Sequence, residues 1–212
     1  MMAKANKNSM LDDIYRIISF SDKVIYKTSS IRRYNTTQII QQQSVLEHEG
    51  SVALIAMLIS DYLIKKGVKL DTEKIMRMAI IHDLDEAIYG DIPYDAKYEF
   101  GKTSEEFRAA LENMKIFTLK MILNTIGDST LANKYFDLMM EEKEKGTLEA
   151  RIVKLADYID VLIFINHELS LGNKSVLDIK KKAEKNIHQL LLKLAENAGQ
   201  GATGKPVFKR TK

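Results

Sequence analysis

Four side chains stand out for the chemistry they can do together: His48, His82, Asp83 and Asp157. His82 and Asp83 lie in Ile80-Ile81-His82-Asp83-Leu84-Asp85-Glu86, an imidazole beside a carboxylate in a segment that reads as apolar helix. Burying such groups without compensation is costly. A divalent ion would compensate both. His48 precedes the run Val52-Ala53-Leu54-Ile55-Ala56-Met57-Leu58, and residues 152–165 form a third greasy stretch carrying Asp157 and Asp160. Helices that are apolar nearly all round belong in an interior. Ligands projecting from facing helices are how a bundle builds a metal site. Two imidazoles with two carboxylates suit zinc, manganese, iron, cobalt or nickel. Neighbours on a helix point about 100° apart, yet the side chains of His82 and Asp83 are long enough to turn toward one ion.

Each group alone has a plainer reading. A single buried histidine is more often a hydrogen-bonded core residue than a ligand. Asp157 can cap a helix or pair with Arg151 or Lys154. The order H…HD…D, each member on an apolar helix, is what favours the metal. His167 and His188 stand among Asn166, Glu168 and Gln189 and read as ordinary helix residues.

The elements that must position these groups are helical. Only Pro93 and Pro206 interrupt 212 residues, and the apolar spacing is that of helices rather than strands. The expected fold is all-α, a helix bundle with a buried metal site, in a single domain over 1–198 followed by a flexible basic tail over 199–212. Helices are expected over 10–24, 44–66, 71–89, 103–126, 128–144, 147–171 and 175–197. Residues 22–43 read as irregular, with Thr28-Ser29-Ser30 as turn or cap material. Ser44 followed by Glu47 matches a capping box. Gly67, Gly90 and Gly172-Asn173 mark helix ends. Gly90-Asp91-Ile92-Pro93-Tyr94 reads as a tight loop.

Composition narrows the class further. With 32 basic and 29 acidic residues the net charge is +3, too balanced for a protein that binds a nucleic-acid polymer. Lys205, Lys209, Arg210 and Lys212 read as a solvated tail. There is no cysteine, which excludes disulfides, thiolate chemistry and iron–sulfur clusters and leaves nitrogen and oxygen to hold any metal. No apolar stretch reaches the roughly 18 residues of a membrane span. The start, Met1-Met2-Ala3-Lys4-Ala5-Asn6, lacks the apolar core of a signal peptide. A cytoplasmic protein is the expectation.

The H…HD…D order resembles the HD-domain superfamily of metal-dependent phosphohydrolases. Further elements narrow the resemblance: Arg33-Tyr34, Ser44-Val45-Leu46-Glu47-His48, His82-Asp83-Leu84-Asp85-Glu86, Gly90-Asp91-Ile92-Pro93, Ala156-Asp157 and Glu168-Leu169-Ser170-Leu171-Gly172-Asn173. Together they are similar to the bacterial and phage 5′-deoxynucleotidases, over about residues 30–175. The family's Arg-Trp reads Arg33-Tyr34 here, and its Gly-Asp-Leu-Pro-Thr reads Gly90-Asp91-Ile92-Pro93-Tyr94.

The resemblance implies hydrolysis of deoxyribonucleoside 5′-monophosphates, with one divalent ion (Co, Mn, Zn, Ni or Fe) on His48, His82, Asp83 and Asp157. It implies catalytic roles for Glu86, Asp91 and Arg33: Glu86 toward the attacking water, Arg33 as a planar fork for phosphate oxygens, Asp91 close to the water or the sugar. The alternatives are a turn or cap role for Asp91, a solvated helix residue for Glu86, a surface arginine for Arg33 and a buried core tyrosine for Tyr34 and Tyr94. Substrate contacts are implied at Arg33, Tyr34, His48, Asp91, Ile92, Pro93, Tyr94 and Asp157. A homodimer is implied as well. Two other functions stay open, a dNTP triphosphohydrolase and a non-catalytic nucleotide-binding regulator. The intact set of His48, His82, Asp83, Glu86 and Asp157 speaks against the regulator. The few basic residues near the motifs, Arg32, Arg33 and Lys97 with Lys102 and Lys154 as further candidates, favour the monophosphate over the triphosphate.

Overall fold

A computed structural model describes residues 7–201, without the side chains of residues 7–9, 95 and 196–201. Its helices are α1 (Lys7–Ser30), α2 (Val45–Lys65), α3 (Thr72–Ile81), α4 (Glu86–Tyr89), α5 (Tyr94–Tyr98), α6 (Gly101–Asn124), α7 (Ser129–Glu144), α8 (Leu148–Ser170) and α9 (Leu177–Gly201), with a 3₁₀ turn over Lys174–Val176. The described residues contain no strand, only an isolated bridge between Arg32 and Ser44. The all-α expectation holds. No described helix is long and apolar enough to cross a membrane.

The described residues fall into two compact units. One takes in the described residues up to Gln38 with Gln42–Glu47 and His82–Met140, the other Ile39–Gln41, His48–Ile81 and the described residues from Glu141 onward. The chain passes into the second unit at Ile39, His48 and Glu141 and back to the first at Gln42 and His82.

In the first unit α1 packs on α4, and α5 on α6. Leu119, Ile122, Leu123 and Ile126 are buried at the spacing of one helix face. In the second unit α8 packs against α3 and α9. Val52 and Ala56 of α2, Ile75 and Met78 of α3, and Ile152, Val153 and Ile165 of α8 are fully buried. Apart from the smaller Ala56, each of these side chains contributes about 1.5–3 kcal/mol by leaving water.

Local chemistry accounts for the starts of α2, α3 and α8. The amide and hydroxyl of Ser44 donate to Glu47 Oε2 at 2.6 and 2.7 Å, and the Glu47 amide donates back to Ser44 Oγ at 3.2 Å. This is the expected capping box, and the Ser44 amide, then its hydroxyl, holds the Glu47 carboxyl below its usual range. Asp71 accepts from the Lys74 amide at 2.9 Å to start α3. Thr147 accepts from the Ala150 amide to start α8.

Four boundaries differ from the expectation. α1 runs on to Ser30, and the hydroxyls of Thr28, Ser29 and Ser30 donate to the Val24, Tyr26 and Tyr26 carbonyls one turn back instead of making a turn. The helix expected over 71–89 breaks at residues 82–85 and resumes as α4, so His82 and Asp83 sit on a turn and not inside a helix. α5 forms directly after Pro93, in what reads from sequence as loop. α9 extends to Gly201, and residues 202–212 of the expected tail lie outside the described residues.

Candidate active site

The second unit holds His48 and Asp157. His48 lies on α2 one residue beyond Glu47 of the capping box, and it is fully buried. Its Nδ1 lies 2.6 Å from Asp160 Oδ2 and its Nε2 lies 3.3 Å from Asp157 Oδ1. The Lys154 ammonium lies 2.5 Å from Asp157 Oδ2. Burial works against charge at Lys154, but Asp157, followed by Glu142 and Tyr158, outweighs it and holds the ammonium well above its ordinary pKa. The pairing of Asp157 with Lys154, a plain alternative from sequence, is thus real, and Asp157 also faces His48.

The first unit holds His82, Asp83, Glu86, Asp91, Arg33, Tyr34, Ile92, Pro93 and Tyr94. His82 Nε2 and Asp83 Oδ2 are 3.2 Å apart on the turn that follows α3. Two consecutive residues of a regular helix diverge by about 100°; the break after Ile81 removes that restriction. The Glu86 amide donates to the Asp83 carbonyl at 2.9 Å, which starts α4. Glu86 is buried. Burial, then the negative charges of Asp83 and Asp91, raise its carboxyl well above the ordinary range, with Lys97 opposing and Asp85 adding.

Asp91 makes a structural contact that sequence offered only as an alternative. Its Oδ2 accepts from the Tyr34 amide at 3.1 Å, and its carbonyl accepts from Asn35 Nδ2 at 3.1 Å. Tyr34 needs this support, since its φ of 60° is left-handed and costs a non-glycine residue about 1–3 kcal/mol. Gly90, at φ 81°, gives the chain the sharp exit from α4 that brings Asp91 to this turn. The Arg33 guanidinium donates to Gln43 Oε1 at 3.0 Å and lies 5.2 Å from the centre of the Tyr34 ring. Ile92 and Pro93 are half-buried. Tyr94 is exposed and stacks on Tyr98 at 4.7 Å, not in a core.

Three groups escaped sequence reading. Asp160 was visible only as a second carboxylate three residues beyond Asp157, hence on the same helix face. Asp85 is fully buried 3.2 Å from Lys115, and burial raises its carboxyl. Glu168 is fully buried and accepts from the Ile40 amide, the Gln41 amide and Asn173 Nδ2. It ties residues 39–41 to the end of α8 within the second unit.

The donors fit a divalent ion. Two ligand atoms each about 2.0–2.2 Å from one cation lie roughly 2.9–3.5 Å apart in octahedral or tetrahedral geometry. The His48–Asp157 and His82–Asp83 pairs, at 3.3 and 3.2 Å, each have that separation. A buried imidazole fixed through its other nitrogen by a carboxylate is the usual surrounding of a metal-binding histidine.

A helical fold with paired histidines and aspartates of this kind defines a class, the HD-domain phosphohydrolases. An HD-domain phosphohydrolase from Listeria innocua superposes with a TM-score of 0.72, over 88% of this chain and 87% of that one, at 22% identity. A conserved hypothetical protein from Pyrococcus furiosus superposes with a TM-score of 0.63, at 30% identity, over 85% of this chain and 98% of that one. Residues 21–197 match the family model of the YfbR-like 5′-deoxynucleotidases, and the chain belongs to that family. Among curated relatives, a 5′-deoxynucleotidase from Klebsiella pneumoniae is 27% identical over 158 residues, 74% of this chain and 76% of the relative. The protein is a hydrolytic enzyme, a phosphohydrolase of a metal-dependent class.

Proposed function

We propose that the enzyme hydrolyses deoxyribonucleoside 5′-monophosphates to deoxynucleoside and inorganic phosphate, with one divalent ion held by His48, His82, Asp83 and Asp157. The observation that carries this reading is the pair of imidazole–carboxylate contacts, His48–Asp157 and His82–Asp83, each at the separation of two ligands of one ion. The names of the curated relatives support the substrate.

When bound, the ion lowers the pKa of a coordinated water and polarises a phosphate oxygen. The chain's own residues do the rest. Glu86, three residues beyond Asp83 and shielded from solvent, holds the attacking water and accepts its proton. A bond forms from the water oxygen to phosphorus, the bond to the 5′ oxygen breaks, and that oxygen takes up the proton that Glu86 accepted. Arg33 offers two parallel N–H donors to the phosphate oxygens. Asp91 keeps the Arg33-Tyr34 turn in its left-handed shape, which aims Arg33. Tyr34, Ile92, Pro93 and Tyr94 bound the sugar and base. Tyr34 packs on the ribose edge, so a 2′-hydroxyl loses its hydrogen-bond partners there and deoxy sugars are preferred. The reading includes a cytoplasmic homodimer.

The test is a phosphate-release panel of dNMPs, NMPs and dNTPs with Co²⁺, Mn²⁺ and Zn²⁺, with nucleoside products identified. The expected result is release from dNMPs above NMPs. Inorganic triphosphate from dATP, with dAMP untouched, would replace this reading by the triphosphohydrolase.

A further inference from the structure

α8 presents Lys154, Asp157 and Asp160 at three-residue intervals, so all three lie along one side of the helix. Their contacts interlock. Lys154 engages Asp157 Oδ2, which leaves Oδ1 toward His48 Nε2 at 3.3 Å. Asp160 Oδ2 lies 2.6 Å from His48 Nδ1. Both His48 and Asp160 are buried, at 0% and 3% exposure, so bulk water does not compete for this bond.

A carboxylate accepts and does not donate. The 2.6 Å contact therefore calls for the proton on His48 Nδ1, which leaves Nε2 as the nitrogen that can offer a lone pair to an ion. The two ring nitrogens point away from each other, so Asp160 cannot share an ion with Nε2. Without Asp160 the ring would be free to place its proton on Nε2, hydrogen-bond Asp157 Oδ1, and so consume both donors of this half of the site.

We infer that Asp160 is a positioning residue that fixes the Nδ1–H tautomer of His48 and thereby sets the enzyme's metal affinity. The inference rests on the metal reading above. It assigns Asp160 neither to the ion nor to the substrate. Removing such an outer partner weakens metal binding by about 10- to 100-fold. Lys154 cannot substitute, because it touches only Asp157 in this row and has no acceptor.

The test uses the full chain loaded with Zn²⁺, which is diamagnetic. With four histidines in the sequence, the imidazole nitrogens are resolvable by ¹H–¹⁵N NMR, and His48 is assigned by its absence from His48→Gln. The wild type should show a slowly exchanging proton on His48 Nδ1. Asp160→Leu, which has no acceptor, should lose that proton and bind Zn²⁺ about 10- to 100-fold more weakly. Asp160→Asn keeps an acceptor oxygen, so it should retain the proton and lose less. In activity assays the half-saturating Mn²⁺ concentration should rise with each variant, while kcat at saturating Mn²⁺ changes less. Should Asp160→Leu not fold, the wild-type proton position and Asp160→Asn still decide. A wild-type His48 with no Nδ1 proton, Asp160→Leu with Zn²⁺ affinity within twofold of wild type, or Asp160→Asn that has lost the proton yet binds Zn²⁺ as the wild type does, would overturn the inference alone. A wild type that binds no metal would overturn it together with the reading it rests on.

Discussion

Glu168→Gln should destabilise the protein by about 2–4 kcal/mol at pH 7. In the structure Oε2 accepts from the Ile40 amide and Asn173 Nδ2, both at 2.7 Å, and Oε1 from the Gln41 amide at 2.8 Å. Hydrogen bonds to a charged acceptor are each worth about 1.5–3 kcal/mol. An amide side chain keeps one acceptor oxygen but turns an NH₂ toward at least one N–H donor. One bond lost at the upper end of that range, or two at the lower end, gives about 3 kcal/mol, the middle of the stated range. For a chain of this length that corresponds to a melting temperature lower by about 4–16 °C.

The pH dependence follows from the same contacts. Burial pushes the Glu168 carboxyl up, but the Ile40 amide, the Asn173 side chain, the Gln41 amide and nearby His167 outweigh it and hold it below the usual 4.5. A depressed folded-state pKa contributes stability that is complete above the unfolded value and is lost as pH falls through the folded value. The gap between wild type and Glu168→Gln should therefore be full at pH 6–7 and narrow below about pH 4.5. Urea unfolding followed by circular dichroism across that range measures it. A gap under 0.5 kcal/mol at pH 7, or one that widens on acidification, would refute the reasoning.

Other substitutions separate the roles at the site. Glu86→Gln should keep metal binding while kcat falls about 100-fold or more, the scale of a general base; lost metal would make Glu86 a ligand or a structural residue. Arg33→Ala should slow turnover of every accepted nucleotide by about 10- to 150-fold, and Arg33→Lys should recover only part, since lysine lacks the fork; an effect limited to one base would move Arg33 to the nucleobase. Ser44→Ala should cost about 0.5–2 kcal/mol in urea unfolding through loss of the α2 cap; an unchanged midpoint would contradict the capping-box role.

What the sequence made legible is what local chemistry decides. Ser44 and Glu47 are three residues apart, so their reciprocal hydrogen bonds could be read directly. The apolar runs of α2, α3 and α8 likewise announced buried helices. Competition within a single turn was harder to read. Thr28, Ser29 and Ser30 have turn chemistry, but their hydroxyls find carbonyls one turn back and α1 continues. The same difficulty put His82 and Asp83 inside a helix, where the break after Ile81 places them on a turn. Contacts far apart in sequence were not legible at all. Asp91 meets Tyr34 across 57 positions, Asp160 meets His48 across 112, and Glu168 meets Ile40 across 128. No periodicity links such pairs. The motif Glu168 to Asn173 could be matched to a family, yet its physical purpose, holding residues 39–41, appeared only in three dimensions.

The most direct measurement is a titration of the metal-free full chain with Mn²⁺, following bound metal and phosphate release from dAMP in the same samples. The expected result is that both saturate together at one ion per chain, with deoxyadenosine and inorganic phosphate as products, and that a chelator abolishes the release. Phosphate release from dAMP that is already complete before metal is added, or metal that binds with no release from dAMP, would contradict it.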